Sequence, residues 1–144
     1  MNAGIIFDKQ EKQMLVNAIA EAEKNTSGEI RLHIENLCKN SPYERALVVF
    51  HQLKMEKTAE RNAVLIYLAI KDRKLAIVGD KGIHDIVTSD YWDSILDELK
   101  NGFIKEQYLQ PLILAIQKTG EKLGKYFPLK NNDKDELDNE ISFG

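Results

Sequence analysis

Apolar residues recur with the period of an α-helix in four stretches of the chain. These stretches cover about residues 8–24, 42–55, 89–100 and 106–127. In each of them large apolar side chains stand three or four positions apart, which places them on one face of a helix. Residues suited to helix capping precede the first two stretches, with Asp8 before Glu11 and Ser41 before Pro42. The asparagine and glycine at 101–102 predict the end of the third helix.

Three shorter stretches have the patterns of β-strands. Residues 29–35 alternate apolar and polar positions, which predicts a strand with one polar face that carries His33. Residues 63–70 are continuously apolar, as in a central strand covered on both faces. Residues 74–78 follow after a link so short that it can join only antiparallel neighbours. Two segments, 3–7 and 85–88, are candidates for a fourth strand.

The order αβαββαα predicts an α/β fold, specifically a three-layer αβα sandwich with a small mixed central sheet of three to four strands. The chain has 144 residues, of which 43% are hydrophobic, and this is enough for one domain with its own core. We therefore predict a single domain over residues 1–128. Residues 129–144 contain five acids and two lysines and predict an acidic, disordered tail.

Charge and composition exclude several classes of partner. A net charge of -3 offers no general attraction to nucleic acid or anionic lipid, so we expect no nucleic-acid partner. The longest apolar run, residues 63–70, is far below the roughly 18–20 residues of a membrane helix, so we expect no direct membrane insertion. The single Cys38 excludes an internal disulfide and a cysteine-based zinc site. With no export signal recognisable near Met1, these features predict a soluble, cytoplasmic protein.

Common catalytic motifs are absent from the sequence. It contains no G-x-S-x-G elbow, no phosphate-binding P-loop, no dinucleotide fingerprint and no H-E-x-x-H pair. The three histidines, His33, His51 and His84, are too scattered to form a local zinc pattern. We interpret His33 and His51 as surface residues. No catalytic residue can be named from the sequence, which leaves enzymatic activity open.

Oxygen-bearing side chains collect at one edge of the predicted sheet. A helical crossover makes the first two strands parallel, and a hairpin brings the end of the third strand beside the start of the second. Segments 27–29, 60–62 and 79–80 then meet at the same edge. They bring together Glu29, Asn62 and Asp80, with Glu60 and Asp85 as further candidates. An all-oxygen set of this kind suits Ca²⁺ or Mg²⁺ and does not suit zinc.

The same segments also allow a simpler interpretation. Arg61 can form an ion pair with Asp80 or with Glu29. Such a pair would hold the loops together without any metal. Residue spacing leaves the metal site and the ion pair both open.

Four segments in order resemble the TPM domain family, which is named after a thylakoid lumen protein, a photosystem-associated protein and a worm receptor modulator. They are TSGEIR at 26–31, RNAVLI at 61–66, IVGDKGI at 77–83, and Trp92 with the closing helix. The likeness covers about residues 8–128. It implies an αβα sandwich, binding of divalent cations and of calcium in particular, weak acid-phosphatase activity, and roles in maintaining protein complexes.

The resemblance implies that Glu29, Asn62 and Asp80 occupy the family's acidic and polar positions. Many relatives carry an export signal and a membrane segment or glycine-rich tail, and this sequence resembles a stand-alone member without them. We therefore expect a regulatory or protein-interaction module that binds Ca²⁺ or Mg²⁺ and has an unidentified protein partner. The alternatives are a weak metal-dependent acid phosphatase, in which bound metal polarises water, and a purely structural partner domain.

Overall fold

The computed structural model describes residues 6–129 and 139–144. Its helices in these ranges are α1 (Lys9–Glu23), α2 (Pro42–Gln52), α3 (Lys81–His84), α4 (Ser89–Ile104) and α5 (Leu109–Tyr126). Its strands are β1 (Glu29–Glu35), β2 (Ala63–Ala69), β3 (Lys74–Gly79) and β4 (Ser142–Phe143). The four predicted helices and three predicted strands are all present, and the short helix α3 adds to them.

The strands form one mixed sheet with the order β3-β2-β1-β4. Strands β1 and β2 are parallel, with Glu29 opposite Ala63, and α2 forms the crossover between them. Strands β2 and β3 form an antiparallel hairpin in which Val64 lies opposite Gly79. This register brings the start of β1, the start of β2 and the end of β3 to a single edge of the sheet.

The sheet is the middle layer of a three-layer sandwich, as the sequence predicts. Helices α1, α4 and α5 cover one face, where Ile30, Leu32 and Ile34 of β1 share a large core with Leu15 and Ile19 of α1. Helix α2 covers the other face and forms a smaller core with alternate residues of β2 and β3. Among the helices of the described residues, none is long and apolar enough to cross a membrane.

The fourth strand differs from both sequence candidates. Residues 3–5 lie outside the described residues, and residues 85–88 form a turn because the N–H groups of Ile86 and Val87 both donate to the carbonyl of Ile83. The fourth strand is instead Ser142–Phe143, which pairs in parallel with β1. The prediction of a disordered end was therefore wrong for these last residues, whereas 130–138 lie outside the described part of the chain.

The predicted end of the third helix was also wrong, because α4 continues through Gly102 to Ile104. Gly102 is buried, and a Cβ atom there would lie 2.3 Å from Cγ of Pro111 in α5. The glycine therefore allows two helices to approach closely and does not terminate α4.

Candidate functional site

Three loops meet at the sheet edge where β1 and β2 begin and β3 ends, and we call this region the oxygen-rich edge (segments 27–29, 58–62 and 79–82). The N–H of Glu29 donates to the carbonyl of Asn62 at 3.4 Å, and the N–H of Asp80 donates to the carbonyl of Ala63 at 2.9 Å. The N–H of Gly82 donates to the carbonyl of Arg61 at 2.8 Å. The segments expected to meet are thus joined by backbone hydrogen bonds.

A polar network connects two of these loops. The hydroxyl of Ser27 donates to Oε2 of Glu60 at 2.7 Å. The amide nitrogen of Asn62 donates to the same carboxylate oxygen at 3.2 Å and to the Ser27 hydroxyl at 3.1 Å. Asn62 is only 1% exposed, and within residues 6–129 and 139–144 its buried Oδ1 atom accepts no hydrogen bond. Glu29, at the start of β1, is also buried.

Asp80 is held by Arg61. The guanidinium donates from Nε to Oδ2 at 2.7 Å and from Nη2 to Oδ1 at 2.8 Å, which is the bidentate geometry expected for this pair. Asp80 also caps α3, because Oδ1 accepts from the N–H of Lys81 at 2.7 Å. The hydrogen bond to Asp80 raises the pKa of Arg61 above its ordinary value. The ion pair offered as the simpler interpretation of the sequence is therefore present.

The conformation of the 58–62 loop makes this pair possible. Arg61 has a φ of 52°, in the left-handed region that non-glycine residues seldom adopt. Gly82 packs directly beneath the loop, since a Cβ atom there would lie 2.2 Å from the carbonyl oxygen of Glu60. Only glycine fits at this position without moving the backbone. Gly82 thereby fixes how close α3, and with it Asp80, lies to the loop.

The predicted ligands fall into separate groups. Asp80 and Asp85 line one cleft of about 410 Å³, together with the basic side chains of Arg61, Lys81 and His84. None of the other three predicted ligands lines this cleft, namely Glu29, Glu60 and Asn62. Across the described ranges, no three His, Cys, Asp or Glu side chains are grouped closely enough to hold a metal ion.

A second polar cluster, which sequence reasoning missed, lies between β1 and α2, and we call it the Glu35 cluster (His33, Glu35, Arg45 and Tyr67). Arg45 donates to both oxygens of Glu35, from Nε at 2.8 Å and from Nη2 at 2.9 Å. The hydroxyl of Tyr67 donates to the same carboxylate, and Nε2 of His33 lies 3.2 Å from its Oε1. His33 and Glu35 are each only 5% exposed.

Electrostatics in the Glu35 cluster favour an ionised carboxylate beside a neutral imidazole. Burial alone raises the pKa of Glu35, but the hydrogen bonds from Arg45, Tyr67 and His33 outweigh it and lower the pKa to about 2. Burial lowers the pKa of His33 despite its hydrogen bond to Glu35. Burial raises the pKa of Tyr67, and the hydrogen bond to Glu35 raises it further. The hydrogen bond to Glu35 raises the pKa of Arg45.

The interpretation of His33 as a surface residue was therefore wrong, whereas His51 is exposed as predicted. The polar half of β1 faces α2 and not solvent. The predicted sandwich already indicated that the polar face of β1 is buried, because a strand in the middle layer has helices on both faces. A polar residue in such a strand needs a buried partner, and Arg45 on the following helix was available.

Comparisons with known proteins identify the family. A family model of the TPM domain matches residues 2–122. The solution structure of the BA42 protein from the psychrophilic bacterium Bizionia argentinensis is similar at a TM-score of 0.89 and 46% identity, covering 96% of this chain and 95% of that one. Among curated proteins, no sequence matches.

A more distant structure shares the fold alone. The N-terminal domain of the cg2496 protein from Corynebacterium glutamicum has a TM-score of 0.63 and 12% identity, over 81% of this chain and 74% of that one. The fold, the order of the motifs at the oxygen-rich edge and the extent of the family match agree with one another. On these grounds, the chain belongs to the TPM domain family.

Proposed function

We propose that this protein is a divalent-cation-binding regulatory or protein-interaction module that binds Ca²⁺ or Mg²⁺ at the oxygen-rich edge. The observation that carries the proposal is the Oδ1 atom of Asn62, which is buried and accepts no hydrogen bond from the described residues. A buried polar atom without a partner is costly, and native structures seldom keep one without a reason. A bound cation would give this oxygen a partner.

The neighbours of Asn62 suit a hard cation. Its amide nitrogen lies 3.2 Å from a carboxylate oxygen of Glu60, and the Ser27 hydroxyl binds that same oxygen. Amide, carboxylate and hydroxyl oxygens are ligands that Ca²⁺ and Mg²⁺ accept. The amide nitrogen, and not Oδ1, makes the contact with Glu60, so we assign Glu60 and Asn62 as the first ligands on the condition that the carboxylate turns toward Oδ1. Glu29, which is buried at the start of β1, is the third candidate.

Asp80 and Asp85 have a conditional part in this proposal. Arg61 binds both oxygens of Asp80 and its positive charge repels a cation, so Asp80 becomes a favourable metal ligand when the guanidinium turns away. The Arg61 side chain is 44% exposed and has room to do so. Asp85, which lines the same cleft, would then add a second carboxylate. Arg61 therefore competes with the cation for Asp80.

Metal binding at this edge would connect loops that are distant in sequence. A cation held by Glu60, Asn62 and Glu29 would connect segments 27–29 and 58–62, while Asp80 and Asp85 lie in the neighbouring cleft. The surface that they form would become more rigid, and this surface is where we place the unidentified protein partner. Membership of the TPM domain family supports this proposal, because the resemblance implies divalent-cation binding and roles in protein complexes.

Calorimetric titration with CaCl₂ and MgCl₂, together with melting curves in excess metal and in chelator, tests the proposal. A ligand that binds only the folded state raises the melting temperature. Glu60→Gln should abolish the metal-dependent rise, and the matched control Asp97→Asn, which neutralises an exposed acid on α4, should retain it. Arg61→Gln should allow a cation to bind at Asp80 and Asp85 in the neighbouring cleft. No heat at millimolar metal, or equal loss in the Glu60 and Asp97 variants, would refute the site.

A weak metal-dependent acid phosphatase is the second candidate function. The observation that favours it is the cleft beside Asp80, where Arg61, Lys81 and His84 supply basic groups for a phosphate. Hydrolysis of p-nitrophenyl phosphate should then require added metal and should be lost in Asp80→Asn. A rate that is indifferent to both metal and substitution would reject this function.

A further inference from the structure

The segment at residues 141–144 lies along the edge of β1 that faces away from β2. Ser142 is in register with His33 and Phe143 with Ile34, in parallel orientation. The N–H of Gly144 donates to the carbonyl of Ile34 at 3.0 Å. The segment thus extends the sheet by one strand, which is the geometry that proteins use to bind peptides by strand addition.

Side chains on this segment make contacts that depend on sequence. Ile141 packs against the larger core, and the ammonium of Lys12 lies 5.2 Å from the centre of the Phe143 ring. The Ser142 hydroxyl lies 3.0 Å from Nδ1 of His33. Because Nε2 of His33 points to the Glu35 carboxylate, it carries the proton of a neutral imidazole. Nδ1 is then an acceptor, and Ser142 donates to it.

Close contacts with the Glu35 cluster favour glycine at position 144. A Cβ atom there would lie 2.5 Å from Oε1 of Glu35 and 2.8 Å from Nε2 of His33. The Glu35 carboxylate cannot easily move aside, because Arg45 holds both of its oxygens. A larger residue at 144 therefore requires either the segment or the Glu35 cluster to shift.

We propose that the β1 edge is a strand-docking site selective for the sequence Ile-Ser-Phe-Gly, and that the 141–144 segment of this chain is its resident, exchangeable occupant. Backbone pairing supplies attachment that any sequence could make, while the serine and the glycine supply selectivity. The Glu35 cluster provides the floor of the site. This proposal is independent of cation binding at the oxygen-rich edge.

The small extent of the pairing makes the segment exchangeable. Strand β4 has only two residues, and the Phe143 side chain is partly exposed. An edge strand this short has a low free energy of local opening, and it can detach without global unfolding of the protein. Because the segment is part of the same chain, its pairing with β1 is intramolecular, so a free peptide competes poorly with it. An intact segment therefore keeps the site closed.

The test uses the full chain and a synthetic peptide of residues 139–144, with the amide resonances of His33 and Ile34 as the readout. Gly144→Val should detach the resident segment, which is seen as loss of hydrogen-exchange protection at the amide of residue 144. The peptide should then shift the β1 resonances at concentrations at least tenfold lower than it needs with the unsubstituted chain. A peptide ending in alanine should fail to do so.

Gly144→Ala is the milder second variant, and Gly124→Ala is the matched control. A Cβ atom at residue 124 meets nothing closer than 3.3 Å, and this position in α5 is remote from the segment. The control should keep residue 144 protected and the site closed. The proposal is overturned if residue 144 stays protected in both Gly144 variants, or if the segment detaches and the peptide leaves the β1 resonances unchanged.

Discussion

Replacing Glu35 by glutamine should destabilise the protein in a way that depends on pH. Glutamine keeps the shape of the side chain but cannot carry the charge that Arg45 and Tyr67 stabilise. Because the pKa of Glu35 is lowered in the folded state, its ionised form contributes stability above the pKa of the unfolded chain. That stability is lost as the pH falls towards the folded pKa.

The magnitude follows from the two pKa values. The pKa of Glu35 falls from its ordinary 4.5 to about 2, and each tenfold difference in proton affinity corresponds to about 1.4 kcal/mol. The carboxylate therefore stabilises the fold by about 3 kcal/mol at pH 5 and by only about 1 kcal/mol at pH 3. Since the side chain is only 7% exposed, solvent screening removes little of this contribution.

Urea denaturation followed by circular dichroism measures this difference directly. The free energy of unfolding is determined at pH 5, 4 and 3 for the unsubstituted chain and for Glu35→Gln. Glu121→Gln, the same substitution at an exposed position of α5, is the matched control and should change stability little at any of these values. The gap between the first two proteins should shrink steadily as the pH falls. A constant gap, or one that is absent at pH 5, would refute an ionised, hydrogen-bonded Glu35.

Two further substitutions test other contacts of the fold by the same urea assay. Tyr67→Phe removes one donor from the Glu35 carboxylate and should cost about 1–3 kcal/mol at pH 5, with a smaller loss as the pH falls towards the folded pKa of Glu35. Gly82→Ala places a methyl group 2.2 Å from the Glu60 carbonyl and should cost about 1–3 kcal/mol. At Gly124 the added methyl group would lie 3.3 Å from the nearest atom, the carbonyl oxygen of Asn25, which is a much milder contact, so an equal loss in Gly124→Ala would contradict the steric argument at Gly82.

The layers of this fold could be predicted because each depends on a strong periodic signal. The continuous apolar run in β2 requires cover on both faces, and the three-residue link after it requires a hairpin. Strand β4 gave no such signal, because two residues in an acidic segment have no period. Its position depends on His33, Ile34 and Glu35 at the edge of β1, which lie more than one hundred residues earlier in the chain.

The oxygen-rich edge shows where topology stops determining side-chain partners. Parallel pairing of β1 with β2 brings Glu29, Asn62 and Asp80 to one edge whatever the loops do. Which of them meet is decided by the loop itself, where Arg61 adopts a left-handed conformation and occupies both oxygens of Asp80. No sequence pattern predicts that conformation. Arg61 therefore supplies the positive charge that pairs with Asp80, while the buried Oδ1 atom of Asn62 accepts no hydrogen bond within the described residues.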